Sequence, residues 1–153
     1  MEQQLPRTPG DDFIGYLTQY PHEITRGEED PAAVFDRYHA DDFVLRNDGV
    51  PLDRTRLLAH AQVARRNAMQ VAVQVHDALT SGEQVAARYT LTAVMRKGRV
   101  FATEIHMFGQ LTPDGRLRRV EQLSRDVSSS RGGSGLNVGL RVTPGGGAGL
   151  GGS

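Results

Sequence analysis

The stretch Val85-Ala-Ala-Arg-Tyr-Thr-Leu-Thr-Ala-Val-Met95, the dipeptide Lys97-Gly98, and Phe101-Ala-Thr-Glu-Ile-His-Met-Phe-Gly-Gln-Leu111 decide the fold. In the first run Val85, Ala87, Tyr89, Leu91, Ala93 and Met95 fall on every second position, and in the second Phe101, Ile105, Met107, Gly109 and Leu111 keep the same beat. A period of two puts those side chains on one face of a strand. Lys97-Gly98 between the runs is a turn signal. Working outward, Val71, Val73 and Val75 form an earlier run, while Pro113-Asp-Gly115 turns the chain into a last strand from Leu117 to Asp126. The pattern predicts a meander of long antiparallel strands.

Before Val71 the period is helical. Asp11 and Asp12 stand where they can cap a first helix, whose face is Phe13, Leu17, Tyr20 and Ile24. Pro21 inside it should kink or divide the helix, and Gly27 closes it. Asp30-Pro31 opens a second helix, with proline at the first helical position and Val34, Phe35 and Tyr38 facing inward. Asp41-Asp42 marks its end; a short strand from Phe43 to Asn47 and a turn at Asp48-Gly49 follow. Asp53 caps a third helix to about Asn67, with Leu57, Leu58, Ala61 and Ala64 on its apolar side. The expected fold is α+β, a cone-shaped curved antiparallel sheet packed on three N-terminal helices. Three helices cannot fill a long bent meander, so an apolar pocket is expected at the open end of the cone.

Composition sets the bounds. A chain of 153 residues has room for one domain, and 18 basic against 18 acidic residues leave no net field to gather nucleic acid or anionic lipid. With no cysteine there is no disulfide, thiolate metal site or thiol nucleophile. Met1-Glu-Gln-Gln-Leu-Pro is acidic and polar where a signal peptide is basic and then apolar, and no apolar run approaches the ~20 residues of a membrane span. A cytoplasmic protein with no nucleic-acid and no membrane partner is expected. Residues 1–10 read as a flexible arm, 11–127 as the domain, and 128–153 as a disordered Gly/Ser-rich tail. Within the tail Leu136, Val138, Leu140 and Val142 alternate like a strand that could dock weakly.

Parity then sorts the site candidates. The apolar faces direct Phe43, Leu45, Asn47, Tyr89, Leu91, Ile105, Met107, Val120 and Gln122 toward the pocket, with Tyr16, Tyr20 and His60 entering from the helices. Of this set only His60 has a pKa that can approach neutrality, as general acid–base catalysis requires. The opposite parity gathers Arg88, Glu104, His106, Arg119 and Glu121, where a carboxylate beside a histidine could move a proton. Crossed charges of this kind also mark an exposed or dimer-facing sheet surface, and a β-bulge could turn some of them inward. Glu104 and His106 share a face without a third ligand at a defined spacing, so no metal is expected. His22, His39 and His76 are assigned to the surface. The glycines lie in turns and the tail rather than between a strand and a helix, so no nucleotide cofactor is expected either.

The run Phe35-Asp-Arg-Tyr-His-Ala-Asp-Asp-Phe-Val-Leu-Arg-Asn47-Asp-Gly, the helix after Asp53, and Phe108-Gly-Gln-Leu-Thr-Pro-Asp-Gly-Arg-Leu-Arg-Arg-Val-Glu121 resemble the nuclear transport factor 2-like superfamily. Within it the nearest-looking branches are the SnoaL-like polyketide cyclases and the ketosteroid isomerases. The resemblance covers about residues 11–127. It implies a tyrosine donor in the first helix, matched by Tyr20 at its spacing from Gly27. It also implies acidic groups at positions that here carry Asn47, Met107 and Gln122.

Two functions follow. One is a cofactor-independent isomerase, cyclase or hydrolase acting on an apolar oxygenated ring compound. In it Tyr20 and Asn47 polarise an oxygen while His60, or the Glu104/His106 pair with Glu121 nearby, moves a proton; Phe43, Leu45, Tyr89, Ile105, Met107 and Gln122 hold the substrate. The other is a non-catalytic ligand-binding or dimerisation domain of the same fold, forming a homodimer through the outer sheet face.

Overall fold

The computed structural model describes residues 7–128. The expectations for residues 1–6 and for the tail beyond Ser128, including the Leu136–Val142 island, lie outside the described residues. The elements run α1 (Phe13–Arg26), α2 (Pro31–Tyr38), β1 (His39–Asn47), β2 (Val50–Asp53), α3 (Arg54–Asn67), β3 (Ala68–Ser81), β4 (Gln84–Met95), β5 (Val100–Leu111) and β6 (Leu117–Asp126). The strands form one curved, unclosed sheet in the order β2-β1-β6-β5-β4-β3. The architecture is the expected α+β cone, with a correction to the pairing: β1 runs parallel to β6, so the sheet is mixed rather than wholly antiparallel. A parallel neighbour needs a long crossover, and here α3 and the meander of β3, β4 and β5 supply it.

The first and third helices begin where the chain offers side-chain caps. The Asp12 carboxylate accepts from the Gly15 amide at 2.9 Å and the Asp53 carboxylate from the Arg56 amide at 3.0 Å. Pro21 does not divide α1, which is continuous from Phe13 to Arg26. Proline removes a single helical donor there, and burial of Phe13, Leu17 and Ile24 holds the turns on either side. The second helix stops at Tyr38, earlier than Asp41-Asp42, and the strand starts at His39. Asp41 and Asp42 are both exposed in succession, at a register irregularity between His39 and Val44 opposite β6. This break restarts the alternation at Phe43 and leaves His39 buried.

Asp48-Gly49 closes a two-residue hairpin into β2, a strand the sequence reading did not include. Both turn residues have positive φ, 52° and 87°, as such a turn requires. Its Pro51 is tolerated because β2 is the edge of the sheet.

At the start of the described chain, residues 8–10 are docked rather than loose. Pro9 is fully buried and the Gly10 amide donates to the Gly115 carbonyl at 2.8 Å. The two backbones are so close that a Cβ on Gly10 would lie 2.9 Å from the Gly115 Cα, and Gly115 itself has φ 91°. The composition that made residues 1–10 read as an arm reflects this contact for its last three residues: only glycine permits the approach.

The main core lies between the helices and the inner sheet face and includes Leu17, Phe35, Leu52, Val85 and Leu117. A smaller cluster of Ala68, Val71, Ala93 and Met95 closes the far end of β3 and β4. Between them the packing is incomplete. Among the described residues no helix is long and apolar enough to cross a membrane.

Candidate functional site

The gap is a partly open cavity of about 170 Å³. Helix α1 walls it with Tyr16, Leu17, Tyr20 and Pro21, and α3 with Leu57, His60, Ala61 and Ala64. Parity along the strands supplies the rest: Phe43 and Leu45 from β1, Tyr89 and Leu91 from β4, Ile105 and Met107 from β5, and Val120 and Gln122 from β6.

Asn47 is not on that wall. It is wholly buried at the end of β1, where its Oδ1 accepts from Gln122 Nε2 at 2.9 Å and its Nδ2 donates to Asp48 Oδ2 at 3.1 Å. The side chain is spent on tying β1 to β6 beside the hairpin, so Gln122 faces the cavity in its place.

The second candidate set lies on the opposite face. Glu104 is held between Arg88, at 3.0 Å, and Arg125, at 2.9 Å, and Arg88 also pairs with Asp77 at 3.0 Å. The hydrogen bonds from the two arginines hold the Glu104 carboxyl below its ordinary range, which makes it a poor base. His106 Nε2 is 3.7 Å from Glu104 and the ring is mostly exposed, while Glu121 pairs with Arg46 at 3.0 Å. A bulge does occur, between Val75 and Asp77 in β3, but β4 and β5 pair without a break from Gln84 to Val94. Glu104 and His106 therefore keep their outward parity. Among the described residues no three His, Asp or Glu side chains stand close enough to hold a metal ion.

His39 corrects the surface assignment made from the sequence. It is 2% exposed and lines the cavity. Its Nδ1 lies 2.8 Å from the Phe35 carbonyl oxygen, and its Nε2 lies 2.9 Å from the Tyr16 hydroxyl. Burial lowers its pKa from 6.5 to about 4, against the opposing pull of the Phe35 carbonyl. The sequence did hold a signal: His39 follows Phe35 by four residues, on the face that α2 buries.

The other polar groups at the wall are also neutral. Burial raises the pKa of Tyr16, Tyr20 and Tyr89, so all three remain phenols. His60 is pushed down by burial and then by Arg56. Its Nδ1 is the only buried side-chain nitrogen or oxygen among the described residues without a hydrogen-bond partner in the protein. Among the described residues the cavity thus offers phenol hydroxyls, an amide and neutral imidazoles on apolar walls, and no carboxylate.

The buried imidazole carries a stability signature. The unfolded chain protonates His39 below about pH 6.5, whereas the folded chain resists down to about pH 4. Between those values the unfolded state binds more protons, so stability falls as the pH falls, by at most about 3 kcal/mol. His60 adds to the loss with the same sign. Urea titrations across this window will show the decline, and His39→Gln will flatten most of it. An equal slope in the variant would contradict the assignment.

The fold is shared with solved structures. IdmH, a candidate polyketide cyclase from Streptomyces antibioticus, aligns at TM-score 0.57 and 20% identity over 76% of this chain and 91% of its own. A candidate SnoaL-like polyketide cyclase from Jannaschia sp. CCS1 aligns at TM-score 0.55 and 13% identity, over 79% and 91%. A hypothetical protein with a ketosteroid isomerase-like fold from Catenulispora acidiphila DSM 44928, in complex with trimethylamine, aligns at TM-score 0.53 and 11% identity, over 72% and 82%. No family model matches the sequence, and a search of curated proteins finds no match. The chain has the nuclear transport factor 2-like fold that SnoaL-like polyketide cyclases and ketosteroid isomerase-like proteins share.

Proposed function

We propose that the chain is a small-molecule pocket protein that takes a compact, neutral, oxygen-bearing ring into its cavity and moves a proton on it without a cofactor. The observation that carries this reading is a largely apolar cavity with His60 in its wall, an imidazole whose buried Nδ1 has no hydrogen-bond partner in the protein. The cavity has a volume of about 170 Å³ and is partly open. A cavity of similar size, about 150 Å³, accommodates one benzene ring, so one ring fits inside while a larger molecule extends through the opening. Because every titratable group at the wall is neutral, a carboxylate ligand would lose its hydration without a counter-charge.

In the catalytic form of the reading, neutral His60 takes a proton from the carbon next to a ring carbonyl, and Tyr20 donates a hydrogen bond to the oxygen where charge collects. This resembles the chemistry of the family's isomerases, with the base moved from the β1 strand to α3. Cyclohexanone in heavy water tests it. The protein will bind cyclohexanone in preference to cyclohexanecarboxylate and accelerate deuterium exchange next to the carbonyl. His60→Ala will remain folded and lose about a hundredfold of that exchange. Binding without accelerated exchange would favour the non-catalytic reading, and preference for the carboxylate would overturn the neutral-ligand reading.

The outer sheet face supports a second element, a homodimer. Leu79, Phe108 and Leu123 are 71%, 53% and 65% exposed. The pairings Leu79–Ala86, Ala86–Phe108 and His106–Leu123 gather them into one apolar patch, rimmed by the Arg88 and Glu121 ion pairs. Apolar side chains grouped on a charged rim are the usual composition of a protein interface. Sedimentation will give a dimer for the chain and a monomer for Phe108→Glu; a monomeric parent chain would contradict the proposal.

A further inference from the structure

We infer that His39 fixes Tyr16 as a hydrogen-bond acceptor at the cavity wall, so that the pocket selects ring ligands presenting a hydroxyl donor. This rests on the small-molecule reading above and specifies the ligand that the same cavity prefers. The argument is a chain of donor assignments. The Phe35 carbonyl oxygen can only accept, so the His39 Nδ1 at 2.8 Å carries the proton. The ring is neutral, so Nε2 presents a lone pair, and the Tyr16 hydroxyl at 2.9 Å must donate to it. With its single proton committed, the Tyr16 oxygen has only lone pairs to offer a ligand.

The β1–β6 side repeats the logic with different groups. The Asp48 carboxylate accepts from the Ser124 amide at 3.0 Å, the Ser124 hydroxyl at 2.8 Å and Asn47 Nδ2 at 3.1 Å. That fixes the Asn47 amide with Oδ1 toward Gln122, and Gln122 answers with Nε2 at 2.9 Å. The end of the Gln122 amide left over is Oε1, again an acceptor. Two walls of the cavity are therefore set to receive hydrogen, each by a relay that begins at an obligatory acceptor, the buried Phe35 carbonyl on one side and the exposed Asp48 carboxylate on the other. A phenol or enol satisfies such a site, whereas an ether or a bare hydrocarbon ring leaves it unpaired, the kind of mismatch that discriminates strongly in closed pockets. His39 is here a positioning residue, acting through Tyr16.

Phenol, anisole and toluene, nearly equal in shape, are the probes, titrated by NMR against the chain and Tyr16→Phe. The chain will prefer phenol over both others, and Tyr16→Phe will reduce the phenol-to-toluene preference about tenfold. Toluene affinity will change less than about twofold in the variant, because the apolar walls remain. Unchanged preference, or anisole binding as tightly as phenol, would overturn the inference while leaving the small-molecule reading intact. No binding by any of the three would overturn that reading and this one together. Ring-nitrogen NMR of His39 gives a check that needs neither ligand nor variant: Nδ1 protonated and Nε2 bare at neutral pH is the expected result, and a protonated Nε2 would overturn the inference.

Discussion

The contact on which the site depends is the hydrogen-bonded chain from the Phe35 carbonyl through His39 to Tyr16, which joins α2, β1 and α1. It exists because α2 stops at Tyr38 and the next residue already belongs to the sheet. His39 is then packed between aromatic rings, with Phe35 at 4.3 Å and Phe43 at 4.5 Å between centroids and Tyr20 edge-on at 4.9 Å. Aromatic contacts in these arrangements contribute about 0.5–1.5 kcal/mol each beyond burial, which offsets the cost of removing an imidazole from water. The same contacts hold α1 over the sheet at the height where the cavity forms.

The sheet separates two chemistries by the alternation of its strands. Inward residues of β4 and β5 are Tyr89, Leu91, Ile105 and Met107; their immediate neighbours Arg88, Glu104 and His106 look outward. Charges that would be costly in the cavity are paired across strands in water, where such ion pairs contribute little to stability. The outcome is a neutral interior that suits a neutral ring and an outer face whose apolar patch lies within a ring of charge.

The long strands were legible because a period of two persists through Val85–Leu111, and the helices because caps and apolar spacing agreed. Most of the strand side of the cavity wall followed from the same parity, including Phe43, Tyr89 and Gln122, and Tyr20 and His60 were expected to enter from the helices. What was missed depended on long-range contacts or local irregularity. The parallel pairing of β1 with β6 joins residues about 75 apart, and β2 is four residues with a proline. Asn47 has the right parity for the cavity, yet the hairpin at Asp48-Gly49 places it beside Gln122 and seals it in. His39 was hidden by the two exposed aspartates that follow it, which broke the count back from Phe43.

The central claim is that the inner cavity, rather than the outer face, is where a ring compound binds. Intermolecular nuclear Overhauser effects from a bound phenol locate it directly. The account predicts contacts to the rings of Tyr16, Tyr20 and Tyr89 and to the side chains of Ile105 and Met107. Contacts confined to Leu79, Phe108 and Leu123 would contradict it.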